Sequence, residues 1–324
     1  MSAGLTKEWG AFVDWRRVAL VALVLGVPLA AVPLFTQEYV VHVLNIGAYY
    51  MILAISWNLL AGFTGQFSLA THAFAAVGAY TSGLLIYHLK TPLFVSIPAG
   101  VLAAALGGFL LGLLVLRMRT IYLSIATWAF AETYRIVLGA AYDFTRGELG
   151  LSVPSLYGNV RPINYYYTFL AVAALCVLLS YVLLRSPAGY FMRAVKDDPM
   201  RAQSLGVDTT RVKLFAFTLS SAMAGLGGVL YAHYVLTLTP SYVDFSEMAR
   251  IIIIVVIGGL GYLFGPVLAA PPINFLATYL QAYGEWSLVI FAAIVIIVMR
   301  SYPAGVAGLI ESLVRRWRGP QKRG

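Results

Sequence analysis

Long apolar runs separated by short polar interruptions define the chain. A helix needs about 20 apolar residues to cross the hydrocarbon core of a bilayer. By that measure the runs at 18–35, 40–61, 64–88, 93–116, 121–141, 163–184, 213–236, 249–264, 266–283 and 286–301 are expected to span. Two of them, 249–264 and 286–301, are short, and Gly258, Gly259, Gly261, Gly265 and Pro266 interrupt the chain between 249 and 283. A half-helix or re-entrant hairpin is the alternative to a full crossing there. The pattern predicts an all-α polytopic integral membrane protein of about eight to ten transmembrane helices, some broken or re-entrant.

Composition excludes the other classes. The 324 residues are 60% hydrophobic and 11% charged, with a mean hydropathy of +0.83, whereas soluble domains carry about 25% charged residues. One core cannot hide that much apolar surface from water, which rules out a cytosolic enzyme and a disordered chain. The single cysteine, Cys176, lies in the apolar run Phe169–Leu184 and cannot form an intramolecular disulfide. The net charge of +9 comes from bases placed between apolar runs, so it reads as an orientation signal, and no nucleic-acid partner is expected. Alternating through ten crossings from a cytoplasmic N-terminus puts most of the 22 Lys and Arg residues in the cytoplasm. The expected organisation is a cytoplasmic N-terminus at 1–17, a transmembrane domain at 18–301 and a basic cytoplasmic tail at 302–324. No small-residue cleavage site follows the run at 18–35, so it is expected to be a retained helix.

The longest cytoplasmic loop in this topology, 185–212, is too long for a mere connection. Residues 199–206 predict a short helix, with Pro199 in its first turn, Gly206 at its end and Asp197 and Asp198 at its positive pole. Chemistry of other kinds is missing from the sequence. There is no Gly-x-x-x-x-Gly-Lys-Ser/Thr phosphate loop, no nucleophile elbow and no metal-ligand spacing among His42, His72, His88 and His233. An enzyme is therefore not expected, nor a metal or cofactor bound by this chain.

Ionisable and polar residues inside apolar runs are the functional candidates, because each costs free energy to insert. Glu132 and Arg135, three residues apart, share a helix face and can pair; they either line a polar cavity or lock neighbouring helices. Asn58, Thr64, Gln66, Ser68, Thr71 and His72 cluster where Gly62 and Gly65 interrupt the helix. Such a cluster is either a broken-helix substrate site or a cytoplasmic turn followed by small-residue packing, to which Gly78, Gly225 and Gly228 are suited.

The order of these motifs resembles the branched-chain amino-acid ABC permeases, the LivM/LivH-type subunits. Asn58-Leu59-Leu60, Gly62, Gly65-Gln66-Phe67-Ser68-Leu69, Ala73-Phe74 and Gly78-Ala79-Tyr80 look like the family's opening motif. Phe130-x-Glu132-x-x-Arg135, Ser186-Pro187-x-Gly189, Arg193-Ala194-Val195, Asp197-Asp198, Leu205-Gly206-Val207, Ala224-Gly225-x-x-Gly228, Gly258-Gly259-Leu260-Gly261 and Gly265-Pro266 follow in order, and the resemblance spans about 45–305. It implies one transmembrane subunit of an importer in the bacterial inner membrane. The partners would be a second, LivH-like permease, two LivG/LivF-like ATPase subunits that hold ATP and Mg, and a periplasmic substrate-binding protein, all around membrane lipid. The implied substrate is a branched-chain or other hydrophobic amino acid, with urea, short amides or aromatic or small carboxylates as alternatives and an ion-coupled secondary transporter as the competing class.

By the same resemblance Asp197, Asp198, Met200, Arg201, Ala202, Leu205 and Gly206 would form the helix seated on an ATPase, with Ala202 and Gly206 leaving a face open for close docking. Asn58, Gln66, Ser68, Thr71, His72, Glu132, Arg135, Thr145 and Arg146 are the candidate substrate pathway. Two departures from the family pattern stand out. Ala70-Thr71 replace Gly-His, which moves the imidazole to His72, and Arg146 and Glu148 enter an outer loop that is otherwise small and neutral.

Overall fold

The computed structural model describes residues 31–34, 36–118, 120–159 and 161–280, with scattered positions between 286 and 308. The segments expected at 1–17, 18–35, 286–301 and 302–324 lie wholly or largely outside the described residues.

Helices dominate. Up to residue 280, the described helices of six residues or more are, in chain order, α1 (Glu38–Trp57), prolonged by a π-helical turn Asn58–Gly62, then α2 (Thr71–Leu89), α3 (Leu93–Val115), α4 (Thr120–Ala140), α5 (Pro162–Arg185), α6 (Pro187–Asp197), α7 (Pro199–Ser204), α8 (Thr209–Val235), α9 (Phe245–Gly258) and α10 (Gly265–Leu280). Among the described residues the all-α expectation is broken only by a two-residue antiparallel ladder, β1 (Leu151–Ser152) with β2 (Thr237–Leu238). Among the described residues four helical stretches are long and apolar enough to cross a membrane: Glu38–Gly62, Leu93–Val115, Pro162–Arg185 and Thr209–Val235.

Helix α8 is the centre of the bundle and packs on α1, α2 and α3. Its approach to α2 and α3 requires glycine. A Cβ at Gly225 would stand 2.3 Å from Ala104 Cβ, one at Gly78 would meet the backbone of Gly225, and one at Gly228 would overlap the backbone of Ala75. Small residues thus let the helix backbones touch, the usual basis of helix association in a bilayer. Trp57, Phe169 and Phe217 fill the remaining core. By contrast, the buried residues of α4 form one row, Leu123, Thr127, Ala131 and Leu138, so most of its circumference faces outward.

Two elements differ from the expected runs. Helix α2 begins at Thr71 instead of near 64, because Gly65–Ala70 is unwound. Helix α9 has 14 residues, about 21 Å at 1.5 Å per residue, too short to cross alone. It turns into α10 through Gly259 and Gly261, at φ 112° and 84°, where only glycine is at ease.

Candidate functional site

The unwound segment after α1 buries Gln66, Ser68 and Ala70 while Gly65 is exposed, and side chains satisfy its backbone. The Trp57 indole donates to Ser68 O at 2.7 Å and the Ser124 hydroxyl to Phe67 O at 2.6 Å. Leu69 N–H donates to Thr127 Oγ1 at 2.9 Å, and Ala70 N–H to Ser68 Oγ at 3.3 Å. Gln66 Nε2 donates to Thr64 Oγ1 at 3.0 Å and Lys213 O at 3.2 Å, while Thr64 itself donates back to Leu60 O. Asn58 clasps the α9–α10 turn: its Nδ2 donates to Tyr262 O and its Oδ1 accepts from Gly261 N–H, both at 2.9 Å. Broken backbone away from water must be paired in this way. Thr71 opens α2 and is buried.

A second cluster lies across α2, α4 and the start of α9. Arg135 Nη2 stands 2.5 Å from Glu132 Oε1, and Arg135 Nε lies 3.1 and 3.2 Å from the two carboxylate oxygens. Arg135 Nη1 also reaches Asp244 Oδ1 at 3.6 Å. These side chains are 34%, 36% and 45% exposed for Arg135, Glu132 and Asp244, so the triad is half open. Asp244 occupies the N-cap position of α9, but its side chain makes no capping bond to that helix. Next to it, Val243 O accepts from His72 Nε2 at 3.1 Å, and Phe245 packs edge-on against Trp128, ring centres 6.3 Å apart. One turn further into α9, Glu247 accepts from the Tyr50 hydroxyl. The same hydroxyl accepts from Arg250 Nη1 at 2.8 Å, and that guanidinium lies 4.8 Å from the Tyr50 ring centre.

The structure therefore brings His72, Glu132 and Arg135 together around Val243–Asp244 and leaves Asn58, Gln66 and Ser68 in the buried knot. Thr145 and Arg146 stand apart from both. The Thr145 hydroxyl lies 2.6 Å from Leu138 O and 2.9 Å from Ala141 O, closing the end of α4, and Arg146 donates to the Tyr87 hydroxyl at 2.9 Å. Sequence reasoning missed Asp244, Glu247, Arg250 and Tyr50. The signal available was Glu247 and Arg250 at the spacing of Glu132 and Arg135, but the apolar run opens only at 249 and they fell at its border.

In the loop 185–212, Asp198 Oδ1 caps α7 by accepting from Met200 and Arg201 N–H at 2.9 and 3.1 Å, and Arg201 Nε returns to Asp198 Oδ2 at 3.0 Å. Asp197 closes α6 and is exposed. Ala202, expected to open the docking face, turns inward at 2% exposure, whereas Met200 and Leu205 project at 74% and 85%. On a six-residue helix Ala202 is the one position facing the rest of the chain. Gly206, at φ 86°, ends the segment with open space around its Cα.

Comparison with known proteins agrees with a transport role. A family described as "Branched-chain amino acid transport system / permease component" matches residues 39–299. The high-affinity branched-chain amino acid transport system permease protein LivM of Salmonella typhimurium is 30% identical, covering 97% of this chain and 80% of its own length. LivH of Escherichia coli is 23% identical over 86% of this chain and 97% of its own. The fructose import permease protein FrcC of Rhizobium meliloti is 25% identical over 72% of this chain and 69% of its own. No solved structure matches. The apolar helical spans, the glycine-packed bundle and these similarities have one reading: the chain is a multi-pass membrane protein that belongs to the branched-chain amino acid transport permease family.

Proposed function

We propose that this chain is the translocating permease subunit of a binding-protein-dependent ABC importer for branched-chain amino acids. The observation that carries this reading is the similarity to LivM along 97% of the chain. In this reading the subunit spans the bacterial inner membrane eight to ten times with both ends cytoplasmic, which suits the excess of basic residues in the loops that this topology places inside. It works with a LivH-like second permease, two ATPase subunits and a periplasmic binding protein. ATP and Mg belong to the ATPase subunits, and this chain holds no cofactor.

The half-open face of Glu132, Arg135 and Asp244, flanked by Trp128 and Phe245, lines the pathway. It offers both charges of an amino-acid zwitterion a partner and its apolar side chain an aromatic wall. The exposed Met200 of α7 and Leu205 at its C-cap are the surface that meets an ATPase, supported by their projection from a turn capped by Asp198. The similarity to a fructose permease makes a sugar the competing substrate class. Vesicles containing the assembled importer should take up leucine when given ATP and the loaded binding protein. Uptake of fructose in place of leucine would overturn the substrate. Uptake by this chain alone, driven by an ion gradient, would overturn the importer reading.

A further inference from the structure

Three chain segments meet at Gly62. Lys196, in the last turn of α6, donates from Nζ to Gly62 O at 2.7 Å. That carbonyl lies at the end of the π-helical turn, where the unwinding at Gly65 removes the next helical donors. The lysine stem lies along Gly65, where an added Cβ would stand 3.4 Å from Lys196 Cγ and 3.6 Å from its Cα. A Cβ on Gly261 would stand 3.5 Å from Lys196 Nζ and 3.1 Å from Gly62 O. The lysine thus packs close against Gly65 and Gly261 as it reaches Gly62 O. On its other side Gly62 abuts Asn58, which holds Gly261 and Tyr262 through both ends of its amide. Two residues beyond Lys196, Asp198 caps α7. A continuous set of bonds thus runs from α7 through Lys196 to the break after α1, and from Asn58 to the turn at the far end of α9. The other end of α9 carries Asp244, Glu247 and Arg250.

We infer that Lys196 is a positioning residue that couples displacement of α7 to the helix break and the α9–α10 turn. The inference rests on the importer reading above, because only an ATPase-facing α7 has a displacement to transmit. Coupling between distant sites is carried by packed side chains, hydrogen bonds and rigid elements, and the ammonium–carbonyl contact is the hydrogen-bonded link here. Lys196→Met keeps the stem and removes the donor; Lys196→Arg keeps a donor.

The test uses the whole importer in vesicles and compares ATP hydrolysis with and without the loaded binding protein. Lys196→Met should assemble with an unchanged unfolding midpoint and unchanged basal hydrolysis. Its stimulation by the binding protein should fall about fivefold or more, a coupling loss of ordinary size, and Lys196→Arg should recover most of it. Full stimulation in Lys196→Met would overturn the inference. So would a parallel fall in midpoint, assembly and stimulation, which marks a merely structural contact, and so would an Arg variant as impaired as the Met variant. A wild-type complex that the binding protein fails to stimulate would instead refute the importer reading, and this inference with it.

Discussion

Asn58 and Glu132 are both polar residues within apolar helical runs, and their surroundings treat them in opposite ways. Asn58 is 1% exposed, and its amide is committed at both ends to the backbone of the α9–α10 turn. The residues around it, Thr64, Gln66 and Ser68, pair with backbone in the same manner. Glu132 is about a third exposed, pairs with Arg135 on its own helix, and stands on a helix whose buried residues form a single row. Polarity inside an apolar run therefore has two meanings. Where side-chain donors and acceptors are committed to backbone, as at Asn58, the polar residue is a structural requirement of the break, although Gln66 Oε1 in the same knot has no partner among the described residues. Where paired charges keep open sides, they remain available to a solute or a partner.

That contrast can be broken in the order of the expected effects on stability. Gly62→Val strikes the buried knot hardest. Even its Cβ would stand 2.8 Å from Gly261 N and collide with the Asn58 amide, and backbone cannot yield as a flexible side chain can. A loss of about 3 kcal/mol, the upper end of overpacking, should appear as a lowered unfolding midpoint and poor recovery of folded protein in detergent. Asn58→Ala comes second. It leaves Gly261 N–H and Tyr262 O without their partner, at about 1–3 kcal/mol for a buried group left unsatisfied, and the same unfolding measurement reads it. A midpoint equal to the wild type would show that water replaces the amide and that the knot is wetter than its burial implies. Glu132→Gln is last, at no more than about 1 kcal/mol, since partly exposed ion pairs contribute little.

Much of this was legible in the sequence, for identifiable reasons. Gly62 and Gly65 mark the break, and Gly258, Gly259, Gly261 and Gly265 mark the tight α9–α10 turn, because close backbone approach or a positive φ favours glycine at each. The pairing of Glu132 with Arg135 follows from a spacing of three on one helix. What could not be read depends on contacts between distant parts of the chain. Tyr50 meets Glu247 and Arg250 across about 200 positions, so nothing local announces that α9 begins beside α1 and α4. Likewise, the facing of Ala202 is decided by how α7 sits on its neighbours, and a six-residue helix offers too little periodicity to settle it. The clasp of Asn58 on Gly261 belongs to the same class: the sequence shows a polar residue near a break, but not which backbone needs it.

The central claim is that the Glu132–Arg135–Asp244 face serves passage while the Asn58 knot serves structure. The most direct test measures unfolding midpoint and ATP-driven leucine uptake together, in the assembled importer, for the double variant Glu132→Gln, Arg135→Gln beside Asn58→Ala. The double variant should keep a near wild-type midpoint and lose most of its uptake, whereas Asn58→Ala should lose midpoint first and lose uptake only as folded protein is lost. Wild-type uptake in the double variant would contradict the account.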